Sequence, residues 1–119
     1  MNAASDTSDL RFSSDSDGAT LVAGDLSERN VSAFESRFRT LVVDPGCSVI
    51  LDLSRLDIED GVALATCINA LRELRARVSG LVLRGAPQML GHNLYRIGML
   101  EGPGAVEMAD MRLDEPSGI

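Results

Sequence analysis

Residues 49–64, with the sequence VILDLSRLDIEDGVAL, decide the fold because they carry the chain from a strand into a helix. The run at 48–53 is short, mostly apolar and partly β-branched, which predicts a strand covered on both faces. Residues 54–60 are polar and predict a connecting loop. A helical pattern then begins and continues over 61–78. The segment therefore predicts a strand, an acidic loop and a helix whose first residue faces outward.

The helix predicted over 61–78 has two different faces. Its apolar stripe is expected to pack inwards and consists of Leu64, Cys67, Ile68, Leu71, Leu74 and Val78. The opposite side is small and only mildly polar near its start, and consists of Val62, Ala65, Thr66, Asn69 and Glu73. That outer face is the part of the helix that we expect to remain accessible.

The rest of the chain supplies the other elements of one domain. Strands are expected at 10–14, 19–25, 81–83 and 105–108, with further helices over 30–42 and 87–98. Asn30 is expected to cap the first helix, and the third is expected to turn Met89, Leu90, Leu94 and Ile97 inwards. The order β-β-α-β-α-β-α-β predicts an α/β fold with a mixed sheet.

The length of 119 residues supports a single domain. We expect a disordered N-terminal tail over 1–9, the domain over 10–112, and a C-terminal tail over 113–119. The start of the chain is polar and acidic, and no apolar stretch approaches the roughly 20 residues that span a bilayer. We therefore expect a cytoplasmic protein without direct membrane insertion.

Charge and composition exclude several classes of function. The 18 acidic and 11 basic residues give a net charge of −7, which argues against nucleic acid as a partner. Every basic residue is an arginine, so the chain lacks the lysine of a Walker phosphate loop or a Schiff-base catalyst. Cys47, Cys67 and His92 have no metal-binding spacing. We expect neither a metal nor a cofactor.

The segment at 49–64 resembles the signature region of STAS domains, which occur in anti-sigma-factor antagonists and in transporter-associated subunits. Those domains usually have a strand, Asp-Leu-Ser, a short loop, and then Asp-Ser-Ser-Gly-Leu at the start of a helix. The stretch Leu94–Met99 is similar to the family's helix that ends in a glycine before an apolar residue. The similarity covers residues 10–112 and implies the STAS fold.

The chain departs from the STAS pattern at the phosphorylation site. Asp60 corresponds to the family's aspartate, Gly61 to its phosphorylated serine, and Val62 to the second serine or threonine. Neither acceptor position has a hydroxyl group. Thr66 is not a substitute, because it lies more than one helical turn further on and is rotated by about 140°. The resemblance therefore implies a domain that is not phosphorylated at the usual site.

The resemblance implies a non-catalytic module that binds proteins in bacterial signal transduction and transcription regulation. The expected partner-binding residues are Asp57, Ile58, Glu59, Asp60, Gly61, Val62, Ala65, Thr66 and Asn69. An anti-sigma factor with a serine-kinase fold, or a scaffold that collects several STAS subunits, is the expected partner, and a homodimer also fits. The alternative is an accessory subunit of a bacterial lipid-trafficking ABC transporter, bound to its ATPase.

The acidic residues around the loop allow two further interpretations. Asp57, Glu59 and Asp60 could mimic a phosphorylated serine, but we favour plain charges that stabilise the helix N-terminus. Asp60 is also expected to act as the N-cap of that helix. Together with Asp52 they could also form a carboxylate metal site of an enzyme, since ligands of α/β proteins bind at the carboxyl ends of strands. No histidine, lysine or nucleophilic serine motif supports catalysis. We therefore expect no enzymatic activity.

Overall fold

The computed structural model describes residues 10–14, 18–41, 48–102 and 104–110. The strands are β1 (Leu10–Ser14), β2 (Thr20–Leu26), β3 (Ser48–Asp52), β4 (Leu56–Ile58), β5 (Gly80–Arg84) and β6 (Val106–Ala109). The helices are α1 (Val31–Arg39), α2 (Gly61–Arg77) and α3 (Gln88–Arg96). The two predicted tails and the predicted end of the first helix at Val42 lie outside the described residues.

The strands form one mixed sheet of six strands in the order β1-β2-β3-β5-β6, with β4 also paired to β2. β1 is antiparallel to β2, whereas the other pairs are parallel. This confirms the predicted α/β class with a mixed sheet. The order of elements also matches the prediction, apart from one additional strand.

The three helices lie on the same face of the sheet. From β2 the chain moves across β3 and β5 to β6 in one direction, and right-handed crossovers then place every connecting helix on one side. Leu51 and Leu83 are paired, face the helices and are 0% exposed. Their neighbours Ile50 and Val82 are paired on the opposite side and are only partly buried. The expectation that β3 is covered on both faces is therefore wrong, because the described helices cover only one face of the sheet.

The side of the sheet opposite the helices is called the uncovered face below. It includes Arg11, Ser13, Ile50, Val82 and Glu107. Arg11, Ser13 and Glu107 are exposed there, whereas Phe12 points to the helices and packs against the rings of Phe34 and Phe38. The hydrophobic core thus lies between the sheet and the helix layer.

The predicted loop at 54–60 contains the additional strand, β4. Leu56 is completely buried and pairs in parallel with Gly24 of β2. The pairing continues beyond the strand, because the backbone N–H of Glu59 donates to the carbonyl oxygen of Leu26 at 2.8 Å. β4 therefore fixes the direction in which the chain enters α2.

The bounds of α2 agree with the prediction, but its inner face is rotated. The buried residues are Ala63, Cys67, Ala70, Leu71 and Leu74. Leu64, Ile68 and Val78, which were expected in the stripe, are only partly buried. At 100° per residue the two stripes differ by about 50°, because two alanines allow close packing where larger residues were expected.

Two other predicted details are wrong. In α3, Leu90 and Leu94 are buried as expected, but Met89 is 59% and Ile97 is 46% exposed. Asn30 occupies the N-cap position of α1 without a side-chain capping bond. Its side chain instead accepts the N–H of Ser27 at 2.9 Å and donates to the carbonyl of Asp25 at 2.8 Å. None of the helices in the described ranges is long and apolar enough to cross a membrane.

Candidate functional site

Asp60 organises the start of α2 by binding two backbone segments. Its backbone is extended, and one carboxylate oxygen accepts the N–H of Ala63 at 2.8 Å, as expected of an N-cap. The other oxygen accepts the N–H of Glu28 at 2.9 Å. These bonds from Ala63 and Glu28 hold the pKa of Asp60 below its ordinary value. Asp60 therefore caps α2 and ties it to the loop between β2 and α1.

Gly61 is the first residue of α2 and is exposed to solvent. A Cβ atom built at Gly61 would have nothing within 4 Å, and Gly61 is not among the glycines with positive φ. Neither packing nor backbone conformation requires a glycine at this position. The absence of a hydroxyl group is therefore a property of the sequence that the fold does not impose.

The structure brings most of the predicted partner-binding residues to one exposed surface. Val62 is 51% exposed and lies beside Gly61 at the start of α2. Asp57 is exposed but pairs with Asp25, on the side of β2 that belongs to the uncovered face. The exposed members near the start of α2 are Glu59, Gly61, Val62, Ala65 and Asn69. Ile58, Asp60 and Thr66 are partly buried and contribute less area. This exposed set, together with Glu28, is called the tip surface below.

Sequence reasoning missed Glu28 as a neighbour of this surface. Its side chain is exposed, and its backbone is held against Asp60 from 32 residues away. Arg29 follows it and is also exposed. No local pattern signals this contact, because it depends on the pairing of β4 with β2. The tip surface thus combines residues of two loops and one helix.

Asp52, the residue that the metal-site interpretation needed, is occupied by other partners. One of its oxygens accepts the N–H and hydroxyl of Ser54 at 2.9 and 2.6 Å, and the other lies 3.3 Å from Arg84. Partial burial opposes ionisation of Asp52, but the hydrogen bonds from Ser54 and Arg84 outweigh it and lower its pKa. In the described part of the chain, no three His, Cys, Asp or Glu residues form a group that could hold a metal ion.

Gly85 supports this arrangement at the end of β5. Its φ is +69°, and an added Cβ atom would lie 2.7 Å from the Cβ of Ser54. Only glycine combines this conformation with so close an approach. The Asp52, Ser54 and Arg84 cluster is therefore a tightly packed structural contact between β3 and β5.

Cys67 lies on the buried side of α2 and is a free thiol. Burial raises the pKa of Cys67 to about 12. A thiol in this environment stays protonated and acts as a small apolar residue. The other cysteine, Cys47, lies outside the described residues.

A model of the STAS domain family matches residues 16–109, which is well over half of the chain. No curated protein matches the chain significantly, and no solved structure does. STAS domains commonly act in regulatory protein interactions and are generally non-catalytic. The match spans the chain from β2 to β6, including Asp60 and the start of α2. The chain therefore belongs to the STAS family.

Proposed function

We propose that this protein is a regulatory module that binds a protein partner through the tip surface, without control by phosphorylation at residue 61. The observation that carries the proposal is the exposed start of α2, where Val62 presents an apolar side chain next to a glycine. Phosphate added there in a related domain would introduce about −1.5 to −2 charges at the contact. Gly61 has no hydroxyl group that could accept a phosphate. Phosphorylation of residue 61 therefore cannot weaken the binding of the partner.

The composition of the tip surface supports docking of a protein. Val62 supplies an apolar anchor, and Ala65 and Asn69 extend it along α2 without bulky or charged groups. The exposed carboxylates Glu28 and Glu59 lie at its margin. An apolar centre with a polar rim is the usual organisation of a protein interface. The partner is therefore expected to present an apolar pocket with basic residues around it.

The hydrogen bonds of Asp60 argue against a built-in phosphate mimic. Both of its carboxylate oxygens accept backbone N–H groups, from Ala63 and from Glu28. Its charge is thus used to cap α2 and to hold the neighbouring loop. This supports the interpretation of Asp60 as a structural charge.

An anti-sigma factor with a serine-kinase fold is the proposed partner, and the ATPase of a lipid-trafficking ABC transporter is the second candidate. Both rest on the family, and both would contact the same surface. Purification of the protein from its native host, followed by mass spectrometry of the bound proteins, separates them. A kinase-like protein supports the first candidate, and a transporter ATPase with its permease supports the second.

The surface itself is tested with two variants of equal charge. Val62→Arg places a charge at the centre of the tip surface, and we expect at least a tenfold loss of affinity for the co-purified partner. Ser13→Arg adds the same charge to the uncovered face and should bind as the unmodified chain does. If Val62→Arg kept full affinity while Ser13→Arg lost it, the partner would bind the other face.

A further inference from the structure

The buried polar residues of the described chain lie together in the loop that joins β2 to α1. They are Ser27 and Asn30, and each is 8% exposed. A buried polar group costs stability unless it is hydrogen-bonded, so its bonds show what it holds in place. The side chain of Asn30 accepts the N–H of Ser27 at 2.9 Å through Oδ1 and donates to the carbonyl of Asp25 at 2.8 Å through Nδ2. It thus spans the turn from the end of β2 to the start of α1.

The peptide unit between Leu26 and Ser27 is held from two opposite sides. In a planar trans peptide the N–H and the C=O point in opposite directions, and the described chain has no cis peptide. The N–H of this unit donates to Asn30, and its carbonyl oxygen accepts the N–H of Glu59 at 2.8 Å. Asn30 therefore orients the carbonyl group that holds the chain just before α2.

The next peptide unit, between Ser27 and Glu28, has the same two-sided arrangement. Its carbonyl oxygen accepts the backbone N–H of Asn30 at 3.0 Å, which directs the N–H of Glu28 the other way. That N–H donates to the carboxylate of Asp60 at 2.9 Å. Two successive peptide units are thus held by Asn30 on one side and by residues 59–60 on the other.

The segment at 59–60 in turn sets the start of α2. Asp60 caps the helix through the N–H of Ala63, and Val62 lies exposed in the first turn. The side-chain bonds of Asn30 end on Asp25 and Ser27, and the loop backbone carries their effect to residues 59–60. Freedom gained by the loop would therefore pass to the start of α2.

A capping role for α1 does not account for this asparagine. Asn30 occupies the N-cap position, where a side-chain oxygen ordinarily accepts an N–H of the helix's own first turn. It makes no such bond. Both polar ends of its side chain bond instead to residues that precede it, Asp25 and Ser27. The side chain therefore serves the loop rather than the helix.

We propose that Asn30 is a positioning residue of the tip surface, and the consequence for affinity rests on the proposed binding function. Asn30 is buried, so it acts through the loop and not by touching the partner. It holds the loop in the arrangement in which Leu26 and Glu28 bond to residues 59–60. A surface that is already held in its binding geometry loses less conformational entropy on association. Asn30 therefore raises the affinity of the tip surface for its partner.

An NMR titration of the full chain tests the positioning without a partner protein. The amide protons of Glu28 and Ala63 both donate to Asp60, so both signals should shift as Asp60 is protonated. In Asn30→Ala the shift of Glu28 should fall at least about twofold, because its hydrogen bond loses alignment. The shift of Ala63 should persist, because capping within α2 does not need Asn30. The pKa of Asp60 should rise towards its ordinary value, because the bond from Glu28 helps to lower it.

Asn93→Ala is the matched control for this titration. Asn93 also donates to a backbone carbonyl, that of Met89 within α3, and its replacement should change neither shift. Far-UV circular dichroism checks folding. If Asn30→Ala does not fold, Asn30→Asp replaces it, because it keeps an oxygen for the N–H of Ser27 but cannot donate to the carbonyl of Asp25. The shift of Glu28 should fall in that variant too.

Affinity for the co-purified partner tests the consequence for binding. We expect Asn30→Ala to raise the Kd at least about fivefold and Asn93→Ala to leave it unchanged. If Val62→Arg lost binding while Asn30→Ala kept full affinity, the tip surface would stand and the role of Asn30 in binding would be wrong. If Val62→Arg kept full affinity, the proposed function would fail, and the titration alone would decide the positioning. A Glu28 signal that titrates equally in Asn30→Ala and in the unmodified chain would overturn the positioning itself.

Discussion

The carboxylate of Asp60 lies 2.9 Å from the backbone nitrogen of Glu28, which precedes it by 32 residues. The other carboxylate oxygen accepts the N–H of Ala63 within the first turn of α2. One side chain therefore joins the loop after β2 to the start of the helix. The contact therefore helps to fix the geometry of the tip surface, which includes residues of both segments.

Asp60→Asn should lower the melting temperature at neutral pH, because the variant loses a charged acceptor at a helix N-terminus. The hydrogen bonds from Ala63 and Glu28 hold the pKa of Asp60 in the folded chain below its ordinary value of 3.8. The stability that its charge contributes is therefore complete above the unfolded pKa and is lost as the pH falls through the folded pKa.

The difference in melting temperature between the two proteins should thus be constant from about pH 5 to about pH 8 and should narrow below about pH 4. Thermal unfolding followed by circular dichroism measures it. A difference that keeps its full size at about pH 3 would show that the charge of Asp60 has no stabilising role.

Gly61 and Gly85 should respond to alanine in opposite directions. Gly61→Ala has open space at Cβ and should stabilise the chain by about 0.4–1 kcal/mol, because it restricts the unfolded state. Gly85→Ala must adopt a φ of +69° against Ser54 and should destabilise it by more than about 1 kcal/mol. Urea unfolding measures both free energies. Equal effects of the two substitutions would contradict the described conformation of Gly85.

Cys67 should resist alkylation in the folded protein. In a Cys47→Ser background, reaction at Cys67 with iodoacetamide reports on this thiol alone. Burial raises its pKa from 9.0 to about 12, which lowers the thiolate fraction at neutral pH roughly a thousandfold. Mass spectrometry should detect rapid modification only after urea is added. Similar rates with and without urea would mean that Cys67 is accessible.

Gly61→Ser should create a site for phospho-control where the chain has none. The new hydroxyl would stand in open space at the N-terminus of α2, where backbone N–H groups favour an anion. If the partner is a serine kinase, the unphosphorylated variant should bind it as the unmodified chain does. The phosphorylated variant should bind at least tenfold more weakly, because the phosphate charge lies beside Val62.

Phosphorylation is measured by mass spectrometry and affinity by calorimetry, with Gly61→Ala as the control that cannot be modified. If the phosphorylated variant kept full affinity, the partner would not touch the start of α2.

The sequence predicted those parts of the fold that depend on local patterns. The 3.6-residue periodicity predicted a helix over 61–78, and α2 spans Gly61–Arg77. A short apolar run predicted β3. Asp60 as N-cap was also predicted from residue type and position alone, and its bond to Ala63 confirms it. These features are encoded within a few neighbouring residues.

Features that depend on tertiary contacts were not predicted. β4 has three residues, and only its pairing with Gly24 to Leu26 of β2 makes it a strand. The inner face of α2 uses Ala63 and Ala70, because small residues let the helix approach the sheet closely. Glu28 belongs to the candidate site because its backbone N–H donates to Asp60. A backbone contact of this kind does not depend on the type of side chain, so the sequence does not predict it. In each case the partner lies far away in the sequence.

The most direct test of the proposed binding function is a map of the partner's contact on the chain, obtained from amide signals in two-dimensional NMR spectra. We expect the amide signals of the tip surface, such as those of Glu28, Val62 and Asn69, to show the largest shifts or broadening when the partner is added. The signals of Ser13 and Val82 on the uncovered face should remain unchanged. Perturbations confined to the uncovered face, with Gly61 and Val62 unaffected, would contradict the assignment of the tip surface.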